Sequence, residues 1–111
     1  MLKLIGGGVV IGLFLATSGY AQTLGTITGE VKDASGAVLP GATVTAQNVA
    51  TNATRTQTTN EVGAYTFPAM PPGSYVIKAE LQGFKVAQNA VELHVEEALR
   101  VSLTLEIGVL A

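Results

Sequence analysis

Ser74–Leu81 reads SYVIKAEL, with Tyr75, Ile77, Ala79 and Leu81 on one side of an extended backbone and Ser74, Lys78 and Glu80 on the other. A period of two is the mark of a strand with one buried face. Ala98–Ile107 repeats it, with Leu99, Val101, Leu103, Leu105 and Ile107 inward and Arg100, Ser102, Thr104 and Glu106 outward. Val91, Leu93 and Val95 form a third inward row, Ile27, Gly29 and Val31 a fourth within Thr26–Lys32, and Ala42, Val44 and Ala46 a fifth within Ala42–Val49. Ala64–Phe67 is short and brings Tyr65 and Phe67 inward, whereas Arg55–Thr59 is polar, threonine-rich and suited to a sheet edge or a face in water. The segment Val91–Ala98 (VELHVEEA) has some helical propensity, but its apolar positions keep period two, so a strand is expected there.

The breaks between these runs are made of turn residues. Asp33-Ala34-Ser35-Gly36 and Leu39-Pro40-Gly41 surround the first connection, and Asn60-Glu61-Val62-Gly63, Met70-Pro71-Pro72-Gly73 and Gln82-Gly83 mark later ones. Gly36, Gly41, Gly63 and Gly73 stand where a turn calls for positive φ, and Asp33 and Asn60 are placed to accept backbone N–H groups in Asx-type turns. About seven short antiparallel strands at this spacing predict an all-β sandwich of two sheets. Its core would be tied by Tyr65, Phe67, Tyr75 and Phe84, which bury the largest areas.

The N-terminal segment Met1–Ala21 has the form of a secretory signal peptide: Lys3, then the apolar run Leu4–Ala16, then Gly19 and Ala21 at the positions a signal peptidase reads. The run is too short for a membrane-spanning helix, which needs about 20 apolar residues. Cleavage before Gln22 leaves one domain, Gln22–Ala111. Export of a chain with no cysteine suggests a bacterial envelope, periplasmic or at the outer membrane.

Composition excludes several functions. Six basic residues stand against eight acidic ones, which gives no electrostatic basis for a nucleic-acid partner. No cysteine is present and His94 is the single histidine, so neither a thiolate metal site nor an H-E-x-x-H zinc centre is available. None of Ser35, Ser74 and Ser102 lies in a G-x-S-x-G elbow. The chain therefore reads as a non-enzyme with no cofactor. Glu92, His94 and Glu96 would share one face of a strand and form a weak candidate for a divalent cation, the alternative being a solvated face. A sugar-binding surface would need exposed flat aromatics, and the core claims all four available ones. The Arg55–Thr59 edge could accept a partner strand, or its polarity could serve to prevent aggregation.

Several motifs in order carry a resemblance. The succession Gly29-Glu30-Val31-Lys32-Asp33-Ala34-Ser35-Gly36-Ala37-Val38-Leu39-Pro40-Gly41-Ala42-Thr43-Val44, then Thr58-Thr59-Asn60-Glu61-Val62-Gly63-Ala64-Tyr65-Thr66-Phe67, then Pro72-Gly73-Ser74-Tyr75 and Gly83-Phe84, resembles a carboxypeptidase regulatory-like domain over roughly residues 25 to 107. The wording is similar to the N-terminal extension of Oar-like TonB-dependent outer-membrane receptors. This resemblance implies a prealbumin-like Greek-key sandwich, grouped with carbohydrate-binding-like folds, and an accessory rather than catalytic part. It implies the plug and barrel of a receptor as partners where the chain continues, the present sequence then being a fragment. The alternative is a free-standing exported carbohydrate-binding-like module, with a carbohydrate or an envelope protein as partner. Transport itself needs a closed barrel of at least about eight strands, beyond the reach of this length.

Overall fold

The computed structural model describes residues 23–108, so the leader expected at Met1–Ala21 lies outside the described residues. The strands are β1 (Gly25–Asp33), β2 (Thr43–Asn48), β3 (Thr54–Thr58), β4 (Ala64–Met70), β5 (Gly73–Glu80), β6 (Ala87–Leu93), β7 (Ala98–Arg100) and β8 (Leu103–Leu105). One sheet runs β4–β1, with β7 and β8 both on the far side of β1, and the other runs β3–β2–β5–β6. The all-β sandwich that the alternation predicts is the architecture formed. Ile27, Val31, Val44, Ile77, Leu93 and Leu105 meet between the sheets without exposed surface worth counting, and each contributes about 1.5–3 kcal/mol by leaving water.

Four expectations need correction. The run Ala98–Ile107 is not one strand but β7 and β8, interrupted at Val101 and Ser102, and both pieces pair with β1 in parallel. The first sheet is therefore mixed, and Ile107, past the end of β8, is 73% exposed. The inward row through Val91 and Leu93 stops there, because Glu97 closes a turn by donating its N–H to the His94 carbonyl (3.1 Å) and accepting the His94 N–H on Oε1 (2.9 Å). Val95 lies in that turn, 59% exposed. Met70, expected in a turn, is the buried end of β4. A bulge explains it: the β1–β4 register passes from Ile27↔Phe67 to Gly25↔Met70, one extra residue on β4, with Ala69 at φ 55°. Pro68 is tolerated there because β4 is an edge strand. Finally, Thr59 does not face water. Its hydroxyl is buried, accepting the Ala42 N–H (2.9 Å) and donating to the Leu39 carbonyl (2.7 Å) across the Pro40-Gly41 turn.

The interruption between β7 and β8 has a cause elsewhere in the chain. Val101 donates its N–H to the Thr28 carbonyl at 2.7 Å, as a strand neighbour would. Its carbonyl instead accepts the buried hydroxyl of Tyr65 from β4, on the other side of β1. The two groups meet above Gly29, where any Cβ would overlap the Val101 oxygen and come within 2.6 Å of the Tyr65 hydroxyl. The Tyr65 ring then packs edge-on to Phe67, centroids 5.8 Å apart and planes at 62°, a favourable aromatic geometry. Burial pushes the Tyr65 hydroxyl up to about 12, partly opposed by the positive charge of Arg100. Gly63 is the second glycine with no substitute: φ is +74°, and a Cβ would lie 2.9 Å from both the Val31 oxygen and Val38 Cβ.

Substitution at Gly29 and Tyr65 tests this arrangement. Gly29→Ala should lower unfolding free energy in urea by about 3 kcal/mol, the upper end for overpacking, through forced displacement of the Val101 carbonyl, and Tyr65→Phe by about 1–3 kcal/mol, through a buried carbonyl left unpaired. Equal stability of Gly29→Ala and the parent would contradict the contact. The raised Tyr65 value means the folded state holds a proton that the unfolded chain has released, so its share of stability is intact below pH 10, the ordinary tyrosine value, and is lost progressively as pH rises towards about 12. Subtracting the Tyr65→Phe profile from the parent profile over that window isolates it.

Candidate functional site

The turn side chains are engaged with their own backbone. Asp33 Oδ1 accepts the Ser35 hydroxyl (2.6 Å), the Ser35 N–H (2.9 Å) and the Ala37 N–H (3.0 Å). The Ser35 hydroxyl first, then the Ala37 N–H, holds this carboxyl below the ordinary carboxylate value. Asn60 Oδ1 accepts the N–H groups of Val62 and Ala64, each at 3.0 Å. Asn48, not singled out by sequence reasoning, does the same for Ala50 (2.9 Å) and Thr51 (3.1 Å) and so shapes the β2–β3 hairpin. Gly36, Gly41, Gly63 and Gly73 all have positive φ.

Glu92, His94 and Glu96 are not brought together on a strand face. Only Glu92 is in β6; His94 begins the turn and Glu96 adopts φ 59° within it. Among the described residues no group of three or more metal-ligating side chains gathers. Tyr65, Phe67 and Tyr75 are buried, and Phe84 is half-buried against the core.

What the fold does build is a cleft of about 380 Å³ between the sheets, where the β2–β3 hairpin faces the Met70–Gly73 connection. Ala46, Met70 and Tyr75 form an apolar floor, and Asn48, Arg55 and Pro71 stand at its rim. The Tyr75 hydroxyl donates to the Pro71 carbonyl (2.6 Å), which fixes the ring and the turn together. Arg55, on the inner face of edge strand β3, reaches across the open side of the sandwich and donates from Nη1 to the Pro68 carbonyl of β4 (2.8 Å). The ion pairs among the described residues, Glu30 with Lys32 (3.4 Å) and Arg100 (3.6 Å) and Lys78 with Glu80 (3.5 Å), do not include Arg55. The cleft was not visible in the sequence because its walls, Ala46–Arg55 and Met70–Tyr75, are brought face to face only by the packing of the two sheets. It offers shape, apolar contact and one cation, the means of binding rather than of bond-making.

Comparison with known proteins adds three findings. The family model of the carboxypeptidase regulatory-like domain matches residues 26–106. The TonB-dependent transporter Oar of Myxococcus xanthus is 33% identical over 107 residues, 95% of this chain and 10% of the transporter, so the chain spans about a tenth of that relative's length. Among solved structures, the Bacillus anthracis TIE protein is similar with a TM-score of 0.66 at 21% identity, over 77% of this chain and 17% of that one. The 5-hydroxyisourate hydrolase of Klebsiella pneumoniae is similar with a TM-score of 0.62 at 23% identity, over 77% of this chain and 92% of the hydrolase. At such identities the likeness shows the fold alone, a prealbumin-like sandwich.

The depressed Asp33 carboxyl gives a test of the turn. Its contribution is present above the ordinary value of 3.8 and is lost as pH falls through the lower folded value. The urea midpoint of the parent should exceed that of Asp33→Ala at pH 5, and the gap should narrow steadily on acidification towards pH 2. A gap independent of pH would contradict the carboxylate's role.

Proposed function

Because the chain belongs to the carboxypeptidase regulatory-like domain family, we propose that it acts as the non-catalytic, periplasmic N-terminal module of a TonB-dependent receptor at the outer membrane, where it docks or spaces and performs no chemistry. The observation that carries this reading is the similarity to the transporter, which extends over almost the whole of this chain and lies in a domain rather than in a scattered motif. The expected leader at Met1–Ala21 agrees with export, and the partners of such a module are the plug and barrel that would follow it.

A non-catalytic role is supported by the engagement of the polar side chains. Asp33, Asn48 and Asn60 are bonded to their own turns, and His94 lies exposed in a turn without a hydroxyl nucleophile bonded to it. The likeness to a hydrolase, at 23% identity, is one of fold. Carbohydrate binding has less support, because the rings of Tyr65, Phe67 and Tyr75 are buried and unavailable for stacking on a sugar.

An antibody raised against the folded domain tests the reading in fractionated cells. The expected result is a single band in the outer-membrane fraction, many times larger than the domain and shifted by boiling as β-barrels are. A soluble periplasmic band of the domain's own size would overturn it.

A further inference from the structure

We propose that the free edge of β3, together with the cleft beside it, is a docking site for an extended peptide segment carrying a carboxylate side chain. The inference goes beyond the receptor reading, since it holds whether or not a barrel follows the domain.

The backbone of β3 is ready for another strand. The Thr59 N–H donates to the Ala42 carbonyl (2.9 Å), and the Ala53 carbonyl accepts the Asn48 N–H (2.8 Å), both towards β2. Backbone groups alternate sides along a strand, so Arg55 and Gln57 also face β2, while Thr54, Thr56 and Thr58 direct their N–H and C=O groups to the open edge. All five residues of β3 are exposed.

Both edges of the first sheet are less open. Beside β3, the edge of β4 is blunted by Pro68 and by the bulge at Ala69. The β7–β8 edge is broken at Val101, and the pocket at the start of β6 already contains both Lys85 and Glu106. Strands β3 and β6, the edges of the second sheet, both lack proline, bulge and lysine, and β3 differs in lying beside the cleft with Arg55 at its rim.

Arg55 determines which strand fits. Its guanidinium has five N–H donors, of which one meets the Pro68 carbonyl, and no carboxylate among the described residues lies within ion-pair reach. A neutral strand laid on the edge would take this cation out of water without compensation, whereas a carboxylate on the incoming strand would satisfy it. An apolar side chain two residues along that strand, on the same face as the carboxylate, would meet the floor formed by Ala46, Met70 and Tyr75. A second copy of β3 is a poor occupant, because antiparallel self-pairing sets two guanidinium groups near each other.

Fluorescence anisotropy with a short labelled peptide of alternating threonine and valine tests the proposal, the central valine being replaced by glutamate, glutamine or lysine in three versions. The glutamate peptide should bind the purified chain about tenfold more tightly than the glutamine peptide, the effect of one charge-assisted hydrogen bond. Arg55→Glu should invert the order so that the lysine peptide binds best. Thr56→Pro should abolish binding of all three with the thermal midpoint unchanged, because the N–H it removes faces the open edge. Should Thr56→Pro fail to fold, the inversion at Arg55 decides alone. Absence of saturable binding, equal affinity for the glutamate and glutamine peptides, survival of binding in folded Thr56→Pro, or dimerisation of the chain through β3 in sedimentation would each overturn the proposal.

Discussion

The hydrogen bond from the buried Tyr65 hydroxyl to the Val101 carbonyl, made across the bare backbone of Gly29, is the constraint around which the first sheet is organised. Strand β1 is shared by β4 on one side and by β7 and β8 on the other. A tyrosine hydroxyl that enters the core needs an acceptor, and the nearest is a carbonyl two strands away. Reaching it requires that nothing project from β1 between them. A glycine in the middle of a strand would otherwise weaken it. Here the glycine is what lets three strands be tied by one side chain. The break between β7 and β8 is the local cost, since a carbonyl turned towards Tyr65 no longer continues a regular strand.

That constraint also marks how far the sequence could be read. Period-two alternation places Ile27, Val31, Val44, Ala46, Ile77 and Ala79 in the core, and they are there. The same alternation runs without a flaw from Leu99 to Ile107, and nothing local distinguishes Val101 from Leu103; the difference lies in a hydroxyl from residue 65. Alternation reports which face is buried but carries no information on strand direction, so the parallel pairing with β1 was hidden as well. Val95 left the expected row because Glu97 captures the His94 N–H, a capping contact that a continuous apolar pattern masks. Met70 and Thr59 were misread for a related reason. Each takes its burial from a bulge or a turn that must first exist before the side chain has anywhere to go.

The candidate site was legible in part. A polar edge at Arg55–Thr59 follows from composition, and the strand observed, Thr54–Thr58, is that edge. The cleft beside it depends on Ala46, Met70 and Tyr75 converging from three strands, a property of the packed sandwich alone. Within the domain the polar turn residues are bonded to backbone, the large aromatics are in or against the core, and the acidic side chains near Glu92 are separated by a turn. Among the described residues Arg55 stands apart from this, with most of its donors unengaged beside a strand edge that no other described strand covers.

The contact at the centre of this account can be observed directly by proton NMR. The Tyr65 hydroxyl proton should appear as a resolved resonance, protected from exchange with water, with cross-relaxation to the α-protons of Gly29. A Tyr65 hydroxyl exchanging as fast as that of an exposed tyrosine, with no contact to Gly29, would contradict it.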